Sequence, residues 1–161
     1  MAIPTVIIPA AGDGTRTQDL AFSKPKPLIS IQGKPIISWI LEGLYQQGLD
    51  DVVLVVPGPP DIDPIATYIR GTYGQLLQPR FVQQEQPLGP LHAVSQALPL
   101  VQSSSLLVVL ADTICLERFQ DFGFDRSWVL FAAVDQQDSW CLVESRDGFV
   151  DDLIDKPSSS V

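Results

Sequence analysis

The stretch Thr5-Val6-Ile7-Ile8-Pro9-Ala10-Ala11-Gly12-Asp13-Gly14-Thr15-Arg16 is a short β-branched run that stops at two glycines. Apolar residues in succession, rather than in alternation with polar ones, predict a strand over Thr5 to Pro9 buried on both faces of a parallel sheet. The glycines after it let the backbone approach a ligand closely and turn its N–H groups toward phosphate oxygens. No Gly-Lys-Ser/Thr closes the loop, so it is not a Walker loop. Thr17 stands where the dinucleotide fingerprint needs its third glycine, which argues against a nicotinamide-dependent oxidoreductase.

Outward from this loop, Leu28 to Ile31 and Lys34 to Ile37 flank Gln32-Gly33 as a small extended excursion. Ile36, Ile37, Ile40, Leu41 and Leu44 then fall on one face at helical spacing, with Gly48 where a C-terminal cap is wanted. Asp51 to Val56 is a second buried strand, stopped by Pro57-Gly58-Pro59-Pro60, and Asp61 or Asp63 caps the helix that runs to about Tyr73. Arg80 to Gln83 is a strand, Leu88 to Leu98 a helix, and Leu106 to Leu110 a third buried strand ending at Ala111-Asp112. This alternation is the α/β pattern. Beyond it, Trp128 to Val134, Trp140 to Ser145 and Phe149 to Ile154 are expected as successive strands, with a shift toward antiparallel hairpins.

The chain has 161 residues, 45% hydrophobic and 18% charged, enough to bury roughly two-thirds of its unfolded surface in a single domain. No apolar run approaches the roughly 18 residues of a membrane span, and the apolar start lacks a basic leader, so no membrane partner and a cytoplasmic location are expected. Cys115 and Cys141 lack the spacing and histidine company of a zinc site and are expected as core thiols. A net charge of -9 disfavours nucleic acid as a partner. Residues 1–40 nevertheless hold Arg16, Lys24, Lys26 and Lys34 against only Asp13 and Asp19, a local cationic patch suited to a small anion. Lys24 and Lys26 are each followed by proline, which fixes φ and keeps the preceding residue extended. A stiff support for ammonium groups suits polyphosphate.

With these residues in view, Gly12-Asp13-Gly14-Thr15-Arg16, Pro25-Lys26-Pro27-Leu28 and Lys34-Pro35-Ile36-Ile37 resemble, in order, the opening motif of the sugar-phosphate nucleotidyltransferases. The resemblance implies a nucleotide-diphospho-sugar transferase fold: α/β, with a Rossmann-like, mostly parallel mixed sheet flanked by helices. It implies nucleotide contacts from Ala10, Ala11, Gly12, Gly14 and Thr15, and catalytic roles for Arg16 and Lys26. Gln84-Glu85-Gln86-Pro87-Leu88-Gly89 resembles the family's base-recognition loop, in which Gln84 and Gly89 meet the nucleobase edge; Pro90 is a departure that removes a backbone N–H. Ala111-Asp112-Thr113 resembles the strand-terminal Gly-Asp or Ala-Asp, which makes Asp112 the expected Mg²⁺ ligand. Asp155-Lys156-Pro157 stands where relatives have Glu-Lys-Pro, so Asp155 and Lys156 are expected to hold the sugar phosphate. His92 is read as structural.

The reaction implied is the condensation of an NTP with a sugar-1-phosphate to give an NDP-sugar and pyrophosphate. A non-catalytic nucleotide-binding module, or a cytidylyltransferase acting on phosphocholine or another alcohol phosphate, are the alternatives. The nucleobase, the acceptor and the oligomeric state, a homo-oligomer included, stay open. The nucleotide-binding part is expected over about 1–115 and the start of the sugar-phosphate-binding part over about 116–161. Full domains of the family usually exceed 200 residues and supply a second metal-binding aspartate further on. A fragment, an incompletely represented polypeptide or a shortened relative is therefore expected, with the domain cut short at its C-terminal end.

Overall fold

A computed structural model describes residues 3–12, 24–122, 127–133 and 141–155. The chain divides into two compact units, residues 1–124 and 125–161.

The first unit is built on a parallel sheet. β1 (Thr5–Pro9), β4 (Val52–Val56), β5 (Arg80–Gln83) and β6 (Leu106–Val108) lie in the order β5-β4-β1-β6. The registers pair Val6 with Val52, Val53 with Arg80 and Thr5 with Leu106. The faces alternate as the pleat requires. Val6, Ile8, Val52, Leu54 and Val56 pack on one side with the helices α1 (Ile36–Gln46) and α2 (Pro64–Tyr73). Ile7, Val53 and Val55 pack on the other with Ala93 and Ala97 of α3 (Pro90–Ala97). β1 and β4 are thus covered on both faces, which is why their sequences run apolar without alternation.

The α1 stripe is as expected, with Ile36, Ile37, Ile40, Leu41 and Leu44 all buried. Its end is closed by Gly48 at φ 72°, which lets the Gly48 and Leu49 N–H groups donate to the carbonyls of Tyr45 and Leu44. Of the two candidate caps for α2, Asp63 is the one used. Its Oδ1 accepts from the N–H groups of Ile65 and Ala66 at 2.8 and 3.1 Å, and Pro64 takes the first helical position. Asp61 instead lies exposed, 3.8 Å from Arg70. The extended excursion before α1 is a two-residue hairpin, β2 (Ser30–Ile31) with β3 (Lys34–Pro35), whose Gln32 and Gly33 both have positive φ.

Three expectations need correction here. β6 covers only Leu106–Val108 and is not buried: Leu106 and Val108 are 45% and 41% exposed. Among the described residues it is the last strand of its sheet; of its own residues Leu107 packs against the core, and Val109 and Ala111 join the core just beyond it. Residues 127–133 form no strand, and Val134 lies outside the described residues. Cys141 is exposed, whereas Cys115 packs against the core. Cys141 opens a two-stranded ribbon, which has no second layer of its own to cover it.

That ribbon is the regular structure among the described residues of the second unit. β7 (Cys141–Arg146) pairs antiparallel with β8 (Phe149–Asp155) around Asp147-Gly148, both at positive φ, with a bulge between Glu144 and Ser145. Trp140, at the head of the expected strand, lies outside the described residues.

The opposite, amino-terminal edge of the parallel sheet is tied by side chains. Buried Thr5 donates to Asp51 at 2.6 Å, and Asp51 also pairs with Arg80, which in turn donates to the carbonyl of Leu100. This clasp joins β1, β4 and β5 at one end and leaves their carboxyl ends for loops.

Candidate functional site

All the chemistry-bearing loops of the first unit leave the sheet at its carboxyl edge. From β1 the chain goes to β4 and β5 on one side and then returns past β1 to β6, so the order reverses beside β1. A crevice outside the strand ends at such a reversal is where open α/β sheets bind ligands. Counted along the observed registers, Ala11, Gln84 and Asp112 leave at the same level. From β5 to β6 are three inter-strand steps, about 14 Å in all. That is a span suited to a nucleoside triphosphate laid across the strands.

At the centre, the Ala10 N–H donates to the Val55 carbonyl at 2.8 Å, which prolongs β1 by one residue. Ala10 and Ala11 are buried, while Gly12 is exposed and a Cβ placed on it would meet nothing within 4 Å among the described residues. Gly14, Thr15 and Arg16 lie outside the described residues.

On the β6 side, Lys26 and Asp112 come together, although 86 residues separate them. Lys26 Nζ donates to Asp112 Oδ2 at 2.5 Å, both side chains being 38% exposed. Lys26 owes its position to proline chemistry. Pro25 is extended at ψ 140°, and Pro27 is buried inside a single 3₁₀ turn over Lys26–Leu28. Burial pushes the Asp112 carboxyl up, but the hydrogen bond and charge of Lys26, with smaller help from Thr113 and its own backbone, bring it below the usual carboxylate value. The group is an anion with part of its surface open to solvent.

On the β5 side, Gln84 is 5% exposed. Its backbone N–H continues the β5–β4 ladder to Val56, and its side chain spans the base loop to the Gly89 carbonyl at 3.1 Å. Gly89 sits at φ 92°, a conformation that favours glycine, and Pro90 follows as the first residue of α3. Sequence reading missed one member of this group. His92 Nδ1 lies 2.9 Å from Gln84 Nε2 and His92 Nε2 lies 3.3 Å from the Gln96 amide. The available signal was that a buried glutamine must place two N–H donors, and a histidine one turn into the next helix is within reach.

Lys34, another cation of the patch, is turned elsewhere. It donates to Glu42 at 2.6 Å and lies 3.5 Å over the Trp39 ring. Among the described residues no group of three His, Cys, Asp or Glu side chains is arranged to hold a metal. In the second unit Asp155 ends β8 opposite Cys141, and Lys156 lies outside the described residues. Among the described residues no helix is long and apolar enough to cross a membrane.

Comparison with known proteins places this geometry in a family. Over 112 residues the chain is 38% identical to the bifunctional protein GlmU of Parvibaculum lavamentivorans, covering 68% of this chain and 23% of that protein. It is 27% identical over 165 residues to a mannose-1-phosphate guanyltransferase of Debaryomyces hansenii, covering 94% of this chain and 44% of that one. The chain therefore spans less than half the length of these curated relatives. In fold it is similar to HddC from Yersinia pseudotuberculosis complexed with GMP-PN, with a TM-score of 0.74 at 24% identity over 94% of this chain and 68% of that one. The nucleotide-diphospho-sugar transferase fold expected from sequence is thus borne out. Residues 6–138 match the MobA-like NTP transferase domain, and the chain belongs to that nucleotidyltransferase family.

Proposed function

We propose that the chain carries out nucleotidyl transfer from an NTP to a sugar-1-phosphate, as a nucleotidyltransferase of the pyrophosphorylase type. The observation that carries this reading is the Lys26–Asp112 pair at the carboxyl edge of the sheet, about 14 Å across the strands from Gln84. Phosphate-directed groups stand at one end and a base-directed amide at the other. Membership of the NTP transferase family supports the same reading.

In the reaction, a phosphate oxygen of the sugar-1-phosphate attacks the α-phosphorus. The bond from that phosphorus to the oxygen bridging to the β-phosphate breaks, and pyrophosphate leaves. A phosphate monoester is already anionic near neutral pH, its second pKa being about 6, so no general base is required. The work left to the protein is alignment and charge neutralisation. Lys26 and Arg16 offset the negative charge of the departing pyrophosphate. Ala10, Ala11, Gly12, Gly14 and Thr15 bring backbone N–H groups to the triphosphate. Gln84 and Gly89 hold the base. Asp155 and Lys156 are given to the sugar phosphate through their resemblance to the family's Glu-Lys-Pro.

Asp112 suits a hard divalent cation: it is ionised, half-buried and at a strand end. A single carboxylate fits Mg²⁺, which keeps most of its waters and takes further oxygens from phosphates. When bound, Mg²⁺ supplies charge neutralisation at the α-phosphate. Lys26 pairs with Asp112 through Oδ2, so the same carboxylate would hold the cation beside the lysine that faces the phosphates.

The test is a panel of NTPs against sugar-1-phosphates and phosphocholine, with Mg²⁺ and pyrophosphate detection. Release dependent on a sugar-1-phosphate is expected. Calorimetric NTP binding with no pyrophosphate from any acceptor would replace the reading by a nucleotide-binding module.

A further inference from the structure

The hydrogen-bond accounting at Gln84 fixes which end of its amide a ligand meets. Gln84 Nε2 has two hydrogens and two protein neighbours, the Gly89 carbonyl at 3.1 Å and His92 Nδ1 at 2.9 Å. A carbonyl only accepts, so the Gly89 oxygen holds the nitrogen end of the amide on that side. The contact with His92 then requires Nδ1 to be the unprotonated ring nitrogen. The ring proton then belongs on Nε2, 3.3 Å from the Gln96 amide nitrogen, and Gln96 accepts it once the two ends of its amide are exchanged, which the heavy-atom positions permit. Both Gln84 amide hydrogens are consumed within the protein, and among the described residues nothing donates to Gln84 Oε1. Nor does any described residue accept from the Gly89 N–H, although the Gly89 carbonyl is bonded to Gln84 and to the Ala93 N–H.

We propose that His92 is a positioning residue that locks the Gln84 amide with only its oxygen toward the ligand. The site then takes a nucleobase edge that offers an N–H donor to Gln84 Oε1 and an acceptor to the Gly89 N–H. This inference rests on the base-reading role given to Gln84 above. Without His92, one of the two bonds that hold the nitrogen end inward is lost and only the Gly89 carbonyl opposes a turned amide, so donor and acceptor edges are distinguished less well. One neutral hydrogen bond contributes about 1 kcal/mol net, so the expected loss of discrimination is about fivefold.

The chain's single histidine makes a direct check simple. Ring ¹⁵N shifts of the native chain should report a neutral imidazole with Nδ1 unprotonated, and a proton on Nδ1 would overturn the proposal. The kinetic test compares the native chain, His92→Ala and His92→Asn across the four common NTPs. Asn places an amide oxygen near the position of Nδ1. For His92→Ala the ratio of kcat/KM between the best and worst NTP should fall about fivefold, through KM, with kcat for the best NTP changed less than about twofold. His92→Asn should restore the ratio. An unchanged ratio in His92→Ala, or an Asn variant no better than Ala, refutes the role of His92 while leaving the proposed activity standing. A native chain that binds none of the four NTPs by calorimetry refutes the proposed activity and the positioning role together. Thermal melts of both variants separate loss of fold from loss of discrimination.

Discussion

Lys26 Nζ and Asp112 Oδ2 are 2.5 Å apart, joining the proline-stiffened loop after β1 to the turn after β6. The pair brings to one point the cation and the carboxylate that the proposed chemistry assigns to pyrophosphate and metal. Lys26→Ala removes the cation without touching the core, because the lysine side chain is 38% exposed and Pro27 supplies the buried contact. Turnover is expected to fall by about 10²–10³-fold, the usual cost of removing one preorganised charge-stabilising group. Pyrophosphate release checks this, and near-native release from Lys26→Ala would remove Lys26 from the mechanism.

The same pair sets a pH dependence. Burial raises the Asp112 carboxyl more than any single partner lowers it, but the hydrogen bond and charge of Lys26, with Thr113 and its own backbone, together leave it below its ordinary value when folded. A depressed carboxyl gives stability that is present above the unfolded value of about 3.9 and is lost as pH falls through the lower folded value. With both side chains 38% exposed, the contribution is under about 1 kcal/mol. Urea midpoints of the native chain and Asp112→Asn should therefore differ at pH 7 and converge below pH 4. A gap of equal size at both pH values would show that Asp112 acts by something other than its charge.

Asp63 is expected to matter more for folding than any surface ion pair. It is 3% exposed, caps α2 through Oδ1, and accepts from the Gly58 N–H through Oδ2 at 3.2 Å. One carboxylate thus closes the proline-rich turn after β4 and starts the next helix. Asp63→Ala should cost about 2 kcal/mol, the upper end for a lost cap, with Asp61→Ala within about 0.5 kcal/mol of native. Urea denaturation of the two variants measures the contrast, and equal effects would contradict the assignment of the cap.

Much of this was legible before any coordinates, for reasons that differ by element. β1, β4 and α1 are buried along a whole face or two, so their apolar pattern states their position outright. Asp63 was one of two candidates because spacing alone cannot separate carboxylates two residues apart; Pro64 after it is what favours Asp63. β6 was misjudged because an apolar run does not say whether a strand is central or at an edge, and Leu106 and Val108 lie at an edge. For the site, motif order sufficed to nominate Lys26 and Asp112, whose contact spans 86 residues. The pairing of Gln84 with His92 was not legible, since it depends on the turn at Gly89 that sets the first turn of α3 beneath the end of β5.

Tyr73 offers a test of the core on the α1 and α2 side. It is 6% exposed and donates to Glu42 Oε1 at 2.9 Å, while Glu42 Oε2 accepts from Lys34 at 2.6 Å. Burial is the main cause that pushes the Tyr73 phenol up, opposed by Ser38 and reinforced by the Glu42 charge, to about 12. Glu42 moves the other way. Its bond to Lys34 holds the carboxyl below the usual value against some burial, so it is ionised wherever Tyr73 is neutral near pH 7. A phenol raised in the folded state contributes stability that is complete below the unfolded value of about 10 and is lost as pH rises from there to about 12. Absorbance at 295 nm during alkaline titration should therefore show one of the three tyrosines ionising near pH 12, coincident with unfolding. Tyr73→Phe should remove that step. The variant should also be less stable at pH 7 by about 1 kcal/mol, the net value of a lost hydrogen bond. If the late step persists in Tyr73→Phe, the raised phenol belongs to another tyrosine and the packing of α2 against α1 is not what holds it neutral.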